Sequence, residues 1–293
     1  MKYSFLLVIL GLLSNSVSGQ QAKEKKALKT SIKTGQLPSD DVNLRCYYTF
    51  IKKESVQSSR TDTMVLDIGN KISKFYDPAR LGRDSLVSAQ LKSKNPEMIK
   101  SLNIYKDENA KDISNMPGTV GSKSSEGESY QLYKDRSTNK LTIVDYTSPM
   151  QSKFQYEDEP GVLPWKITDS TKTILDYVCQ KATLNFRGRD YVAWFTTDIP
   201  VSDGPWKFSG LPGLILKVED TQQLFSFNLI GLKQVNTSTP ITINTAGNIK
   251  CTKAEFAKQK EKQGGGMQYN FNSGHVMLVQ LPAQTGTISM ELE

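Results

Sequence analysis

Hydrophobic and polar residues alternate singly over much of this chain, and a period of two predicts strands rather than helices. Val42, Leu44, Cys46, Tyr48 and Phe50 fall on one side of a strand whose other side carries Asn43, Arg45, Tyr47 and Thr49. Residues 61–68 repeat the pattern with Met64, Leu66 and Ile68 inward, and Gly69-Asn70 offers a turn into a third strand at 72–76. Further strands are predicted at 129–134 and 141–146, either side of the polar turn Arg136-Ser137-Thr138-Asn139, and at 154–156. Prolines and a glycine at 160–164 break the series before 165–175. Residues 177–196 read as a long hairpin turning at Arg187-Gly188-Arg189-Asp190. One face carries Val178, Gln180, Ala182, Leu184 and Phe186, the other Tyr177, Cys179, Lys181, Thr183 and Asn185. An antiparallel pair at 214–219 and 224–232 and a closing strand at 275–281 complete the set.

Two regions depart from this period. Residues 77–102 place Leu81, Leu86, Ala89, Met98 and Leu102 among charged residues, which predicts short helices interrupted near Asn95-Pro96, and 107–128 is a polar, glycine- and serine-rich loop. Together, 77–128 reads as an insertion between strands. Near the end, Thr252 and Glu255 form a capping box for a helix that Gly264-Gly265-Gly266 would stop. The expected fold is mainly β: one antiparallel sheet curved into an open or partial barrel, with a helical insertion and one helix near the C-terminus. A two-sheet sandwich is the alternative. Residues 41–293 would form this single domain.

The densest stretch is 194–216, WFTTDIPVSDGPWKFSGLPGLIL, which holds two of the three tryptophans, three prolines and three glycines. Such a mixture describes a shaped, rigid corner. Gly210-Leu211-Pro212-Gly213 fits a type II turn with positive φ at Gly213, and Leu214-Ile215-Leu216 reads as a strand buried on both faces. Trp206 and Phe208 should point the same way. With Trp194 they either plug one end of a barrel or line the mouth of an apolar cavity. On the second reading the ligand-binding candidates are Trp194, Trp206, Phe208, Leu211 and Leu214, with Arg189 close by on the hairpin.

Charge and address narrow the function class. Lys2, the apolar run 5–13 and the small residues Val17-Ser18-Gly19 read as a signal peptide, residues 1–19. The mature chain then carries 36 basic against 30 acidic side chains, with a local run at Lys23, Lys25 and Lys26. That run makes 20–40 a solvated, disordered leader, or alternatively a contact for anionic lipid. No later stretch is long and apolar enough for a membrane-spanning helix, and no arginine stripe with interleaved aromatics suggests nucleic acid. The protein is expected to be exported to the periplasm, with secretion as the alternative. Cys46, Cys179 and Cys251 lie in no metal-binding spacing; they allow at most one disulfide, or three free thiols.

Catalytic patterns are sparse. His275 is the single histidine and has no nucleophile motif beside it. Zinc-ligand spacing and a phosphate-binding glycine loop are both lacking, so neither a metal nor a cofactor is expected. Paired carboxylates remain: Asp190, Asp198 and Asp203 bracket the corner, and two of them beside an apolar wall could do general acid work, with Arg189 holding an anion.

Residues 210–215 spell GLPGLI, and the surroundings agree with that motif: Leu163-Pro164-Trp165, Tyr177, Cys179, Lys181-Ala182, Phe186 with Gly188-Arg189, Trp194-Phe195-Thr196, Ile199-Pro200 and Gly204-Pro205-Trp206-Lys207-Phe208. Over roughly 163–220 the chain therefore resembles the GLPGLI family. The resemblance implies an exported protein of Bacteroidota-type bacteria, of uncharacterised function, serving the envelope alongside TonB-dependent transporters, with no established catalytic residues. The reading that follows is a non-catalytic binding or accessory protein holding a hydrophobic ligand or partner segment near an outer-membrane transporter. An envelope hydrolase using Asp198 and Asp203 is the alternative.

Overall fold

The computed structural model describes residues 39–53, 58–92, 101–105, 127–147, 152–263, 267–272, 275–280 and 289–292. The expected signal peptide, nearly all of the leader, nearly all of the 107–128 loop, Asn95-Pro96 and the 264–266 glycines lie outside them.

After the short β1 (Asp40–Asp41), a first meander runs through β2 (Leu44–Lys53), β3 (Ser59–Ile68) and β4 (Ile72–Tyr76). It leaves the sheet for α1 (Pro78–Lys92) and β5 (Ser101–Tyr105), then resumes with β6 (Gln131–Asp135), β7 (Lys140–Asp145) and β8 (Phe154–Asp158). The chain re-enters beside the strand it left, because β6 pairs with β4 from Ile72↔Asp135 to Tyr76↔Gln131. A second meander comprises β9 (Lys166–Ile174), β10 (Tyr177–Phe186), β11 (Arg189–Thr196), β12 (Leu214–Asp220) and β13 (Phe225–Gln234). The two meanders join where β13 lies antiparallel to β2, from Phe225↔Lys52 to Gln234↔Leu44. After β14 (Pro240–Ile241) come β15 (Ile249–Lys250), α2 (Lys253–Gln263), β16 (Met267–Asn272) and β17 (His275–Gln280). The result is one twelve-stranded sheet in the order β15-β8-β7-β6-β4-β3-β2-β13-β12-β11-β10-β9.

No pairing among the described residues joins β15 to β9, so the sheet is not closed into a barrel. It is nevertheless strongly curled. Asp158 on β8, near one end of the order, takes the guanidinium of Arg187 from the β10–β11 turn, near the other end, at 2.5 and 2.8 Å.

The alternation holds on β2, where Cys46, Tyr48 and Phe50 are fully buried and Phe50 stacks on Phe227 at 4.4 Å, but Val42, expected on the same face, precedes the strand and packs on the other side of the sheet. Each such side chain removed from water contributes roughly 1.5–3 kcal/mol. Elsewhere tertiary packing overrides the pattern. On β3, Val65 and Asp67 are buried along with Met64, Leu66 and Ile68. The outer face carries its own small cluster of Val42, Ile72, Tyr133, Val144, Ile241 and Ile243, and Asp67 binds Arg45 Nε at 2.5 Å. On β10 the inward set slips: Cys179 is buried and Val178 is 62% exposed, the reverse of the strict alternation, because the register breaks between Gln180 and Ala182. The β10–β11 turn is tighter than expected. Arg187 and Gly188, at φ 47° and 80°, form a two-residue connection with both residues left-handed, and Arg189 already belongs to β11.

Both helices are capped by side chains. Asp77 Oδ1 accepts from Arg80 N at 2.9 Å ahead of Pro78 in the first turn of α1. At α2 the expected box forms, with Thr252 N donating to Glu255 Oε2 at 2.7 Å and Glu255 N donating to Thr252 Oγ1 at 3.2 Å. The closing strand does not extend the main sheet. β17 pairs with β16 and lies parallel to β5, a strand the sequence pattern did not predict, making a separate three-stranded sheet.

Candidate ligand cavity

The corner between β11 and β12 sits inside the curl, and a lysine from the other meander holds it there. Lys134 Nζ on β6 donates to Asp203 Oδ1 at 2.6 Å, to the Gly204 carbonyl at 2.5 Å and to the Phe208 carbonyl at 3.1 Å. Both partners of the ion pair are buried, and burial pushes the Lys134 ammonium down from its ordinary value against the pull of Asp203. Lys134 was missed by sequence reasoning because it lies on a strand with nothing to mark it.

The type II turn expected at Gly213 is corrected. The left-handed glycine is Gly210, at φ 91°. Gly213 is needed for space instead, since a Cβ there would stand 1.9 Å from the Thr196 carbonyl oxygen.

Of the six predicted ligand-binding residues, three are sealed. Phe208, Leu211 and Leu214 are fully buried in the main core, Phe208 packing edge-on to Tyr191 at 4.8 Å. Trp194 is half-buried and lies under Lys172 Nζ, 4.0 Å from its ring centroid. Arg189 is engaged structurally, donating to the Ser289 carbonyl at 2.7 Å and to Asp220 Oδ2 at 3.3 Å. Trp206 borders a cavity. It adopts φ 50°, rare for a bulky side chain, and is wedged edge-on against Phe186 at 5.9 Å and Phe208 at 5.2 Å.

That cavity measures about 380 Å³. Its apolar walls are Trp206, Leu132, Ile143 and Phe225; Tyr130 and Tyr156 also line it, and Lys52, Lys207 and Lys253 stand around it. Ser289, Met290 and Glu291 form one side. The Tyr130 hydroxyl is buried and has no hydrogen-bond partner among the described residues. Burial pushes its pKa well above the ordinary value, so it remains a neutral donor.

An ionic cluster closes one end. Lys207 Nζ lies 2.6 Å from Asp158 Oδ2 and 2.5 Å from Glu291 Oε1, Arg187 binds both carboxylates, and Lys253 pairs with Glu291 Oε2. Burial opposes ionisation, yet hydrogen bonds from Arg187 and Lys207 hold Asp158 below the usual carboxylate range, and Lys207 with Lys253 does the same for Glu291. The adjoining residues are fastened through the main chain: Leu292 N donates to the Arg187 carbonyl at 2.9 Å and the Tyr191 hydroxyl to the Met290 carbonyl at 2.7 Å.

A larger cavity of about 470 Å³, lined by Lys134, Arg136, Ser202 and Ser209 among others, contains no aromatic side chain and none of the six predicted residues. The carboxylates proposed for acid chemistry are not gathered. Asp198 is exposed, Asp203 is buried against Lys134, and Asp190 is exposed and accepts from Asn185 at 2.8 Å. Among the described residues no cluster of His, Cys, Asp and Glu could hold a metal ion, and no helix is long and apolar enough to cross a membrane.

Comparison with known proteins reaches the corner and the fold. Residues 186–217 match the model of a family described as Protein of unknown function (Porph_ging). The match supports the coarser part of the resemblance, an uncharacterised Bacteroidota-associated family, and does not by itself name the GLPGLI family. No curated protein sequence matches the chain. Among solved structures, PNGF-II in space group P21 is similar over 75% of this chain and 34% of its own, at 12% identity and a TM-score of 0.50. PNGF-II in space group C2 matches over 75% and 33%, at 11% identity and a TM-score of 0.49. The chain thus spans about a third of the length of these structures, and the first likeness bears on the β-rich fold alone.

Proposed function

We propose that this protein is a non-catalytic binding or accessory protein of the cell envelope that holds a hydrophobic ligand or partner segment in the cavity beside Trp206. The observation that carries this reading is the cavity itself: aromatic and aliphatic walls meet a few polar groups in a volume of about 380 Å³, within the roughly 300–1,000 Å³ common for small-molecule sites. The left-handed backbone at Trp206 adds support, because strain held by surrounding packing concentrates at functional positions. An outer-membrane transporter is the proposed partner, on the strength of the sequence resemblance alone.

Native mass spectrometry of the protein taken from its own envelope is the direct test. A bound species that is lost on Trp206→Ala, in a variant that still folds, is the expected result. A consistently unliganded protein that also binds no apolar probe in vitro sinks the reading. A crosslinked pull-down that recovers no transporter removes the partner and leaves the cavity's role intact. No observation favours the aspartate hydrolase, whose carboxylates lie apart.

A further inference from the structure

Resting on that reading, we infer that the ligand is a single-chain anionic amphiphile whose acid group is held by Lys207 and Lys253, and that Glu291 is the internal carboxylate it displaces. The first reason is charge. Three cations, Arg187, Lys207 and Lys253, surround two carboxylates, Asp158 and Glu291. Lys52, also on the cavity wall, makes no ion pair with a described residue. The site therefore carries surplus positive charge beside apolar walls, which suits a carboxylate or phosphate carrying an alkyl chain.

The second reason is the anion that these cations already hold. Asp158 is claimed by Arg187 and Lys207 together. Glu291 shares both of these cations, with Arg187 Nη1 at 2.7 Å, and pairs in addition with Lys253, whose side chain is 43% exposed. The flanking residues are tied through main-chain groups to Arg187, Arg189 and Tyr191. The Glu291 carboxylate can thus swing out without releasing its segment. It stands where a ligand's acid group would.

The test uses the full chain, stripped of bound lipid, titrated with dodecanoate, dodecyl phosphate and dodecanol, reading tryptophan fluorescence and heat. At least one acid should bind tenfold or more tightly than dodecanol. Lys253→Ala should weaken the acids about tenfold and leave dodecanol unchanged, while Glu291→Gln should tighten the acids several-fold. Preference for the phosphate assigns a phospholipid-type head, and preference for the carboxylate a fatty acid. Equal binding of dodecanol and the acids overturns the inference but leaves the binding function standing. If no probe binds to a protein that unfolds cooperatively, both fall. Should Glu291→Gln fail to fold, Lys253→Ala and Lys52→Ala carry the test, and acid affinities unchanged in both overturn it.

Discussion

Trp206 and Phe208 stand two residues apart in one motif and belong to different kinds of interior. Phe208, Leu211 and Leu214 lie in dry core; Lys134 reaches three acceptors there and Trp165 Nε1 donates to the Ser209 carbonyl at 2.8 Å, while Asp203 Oδ2 is buried without a hydrogen bond among the described residues. At Trp206 and Lys207 the same stretch borders a cavity, and Lys207 is shared between two carboxylates. Hydrophobicity does not separate the two halves, since both are aromatic. Completeness of packing does, and incomplete packing is what leaves room for a ligand.

The contrast can be broken hardest on the sealed side. Gly213→Ala forces a Cβ to 1.9 Å from the Thr196 carbonyl oxygen, so a loss of about 4 kcal/mol or more, or failure to fold, is expected in urea denaturation. Next comes Lys134→Ala. It strands the Asp203 charge, which is 0% exposed, and should cost about 3–5 kcal/mol; Lys134→Met with Asp203→Asn should cost clearly less, since no uncompensated charge remains.

On the ionic side the lever is acid. Asp158 and Glu291 are both held below their ordinary pKa values, so below pH ~5 the unfolded chain binds more protons than the folded one. Their contribution is full above the unfolded carboxylate values near pH ~4 and is lost as pH falls through the folded values. The unfolding free energy of Asp158→Asn should therefore fall less steeply than that of the parent between pH ~5 and ~2; parallel curves would mean that the cluster contributes nothing. The smallest effect is expected at Trp194. Trp194→Leu removes a half-buried ring and its lysine contact, costing about 1 kcal/mol, and should leave dodecanoate affinity unchanged where Trp206→Ala abolishes it. Equal loss from both would extend the site to the sheet surface.

Little of the fold was hidden in the sequence, and most of the site was. The β2 alternation, the Thr252–Glu255 box and the apolar run Leu214–Leu216 act over neighbouring residues, so their outcome is written locally. The left-handed pair Leu175 and Asp176, which closes the β9–β10 hairpin, carries no Asn-Gly or Asp-Gly signal. Gly213 was legible as special but for the wrong reason, because only the approach of Thr196 shows that space is what it supplies.

By itself, then, the amino-acid order determined a strand-rich chain with one rigid corner and nominated the aromatic residues in it. Which of those rings would be sealed and which would face a cavity depended on residues far away: Lys134 from β6, Asp158 from β8 and Glu291 from the far end of the chain. The reason is physical. Alternation and capping are set by contacts a few residues apart, whereas cavities and ion clusters arise only when curling of the sheet brings distant side chains together and leaves some of them incompletely partnered.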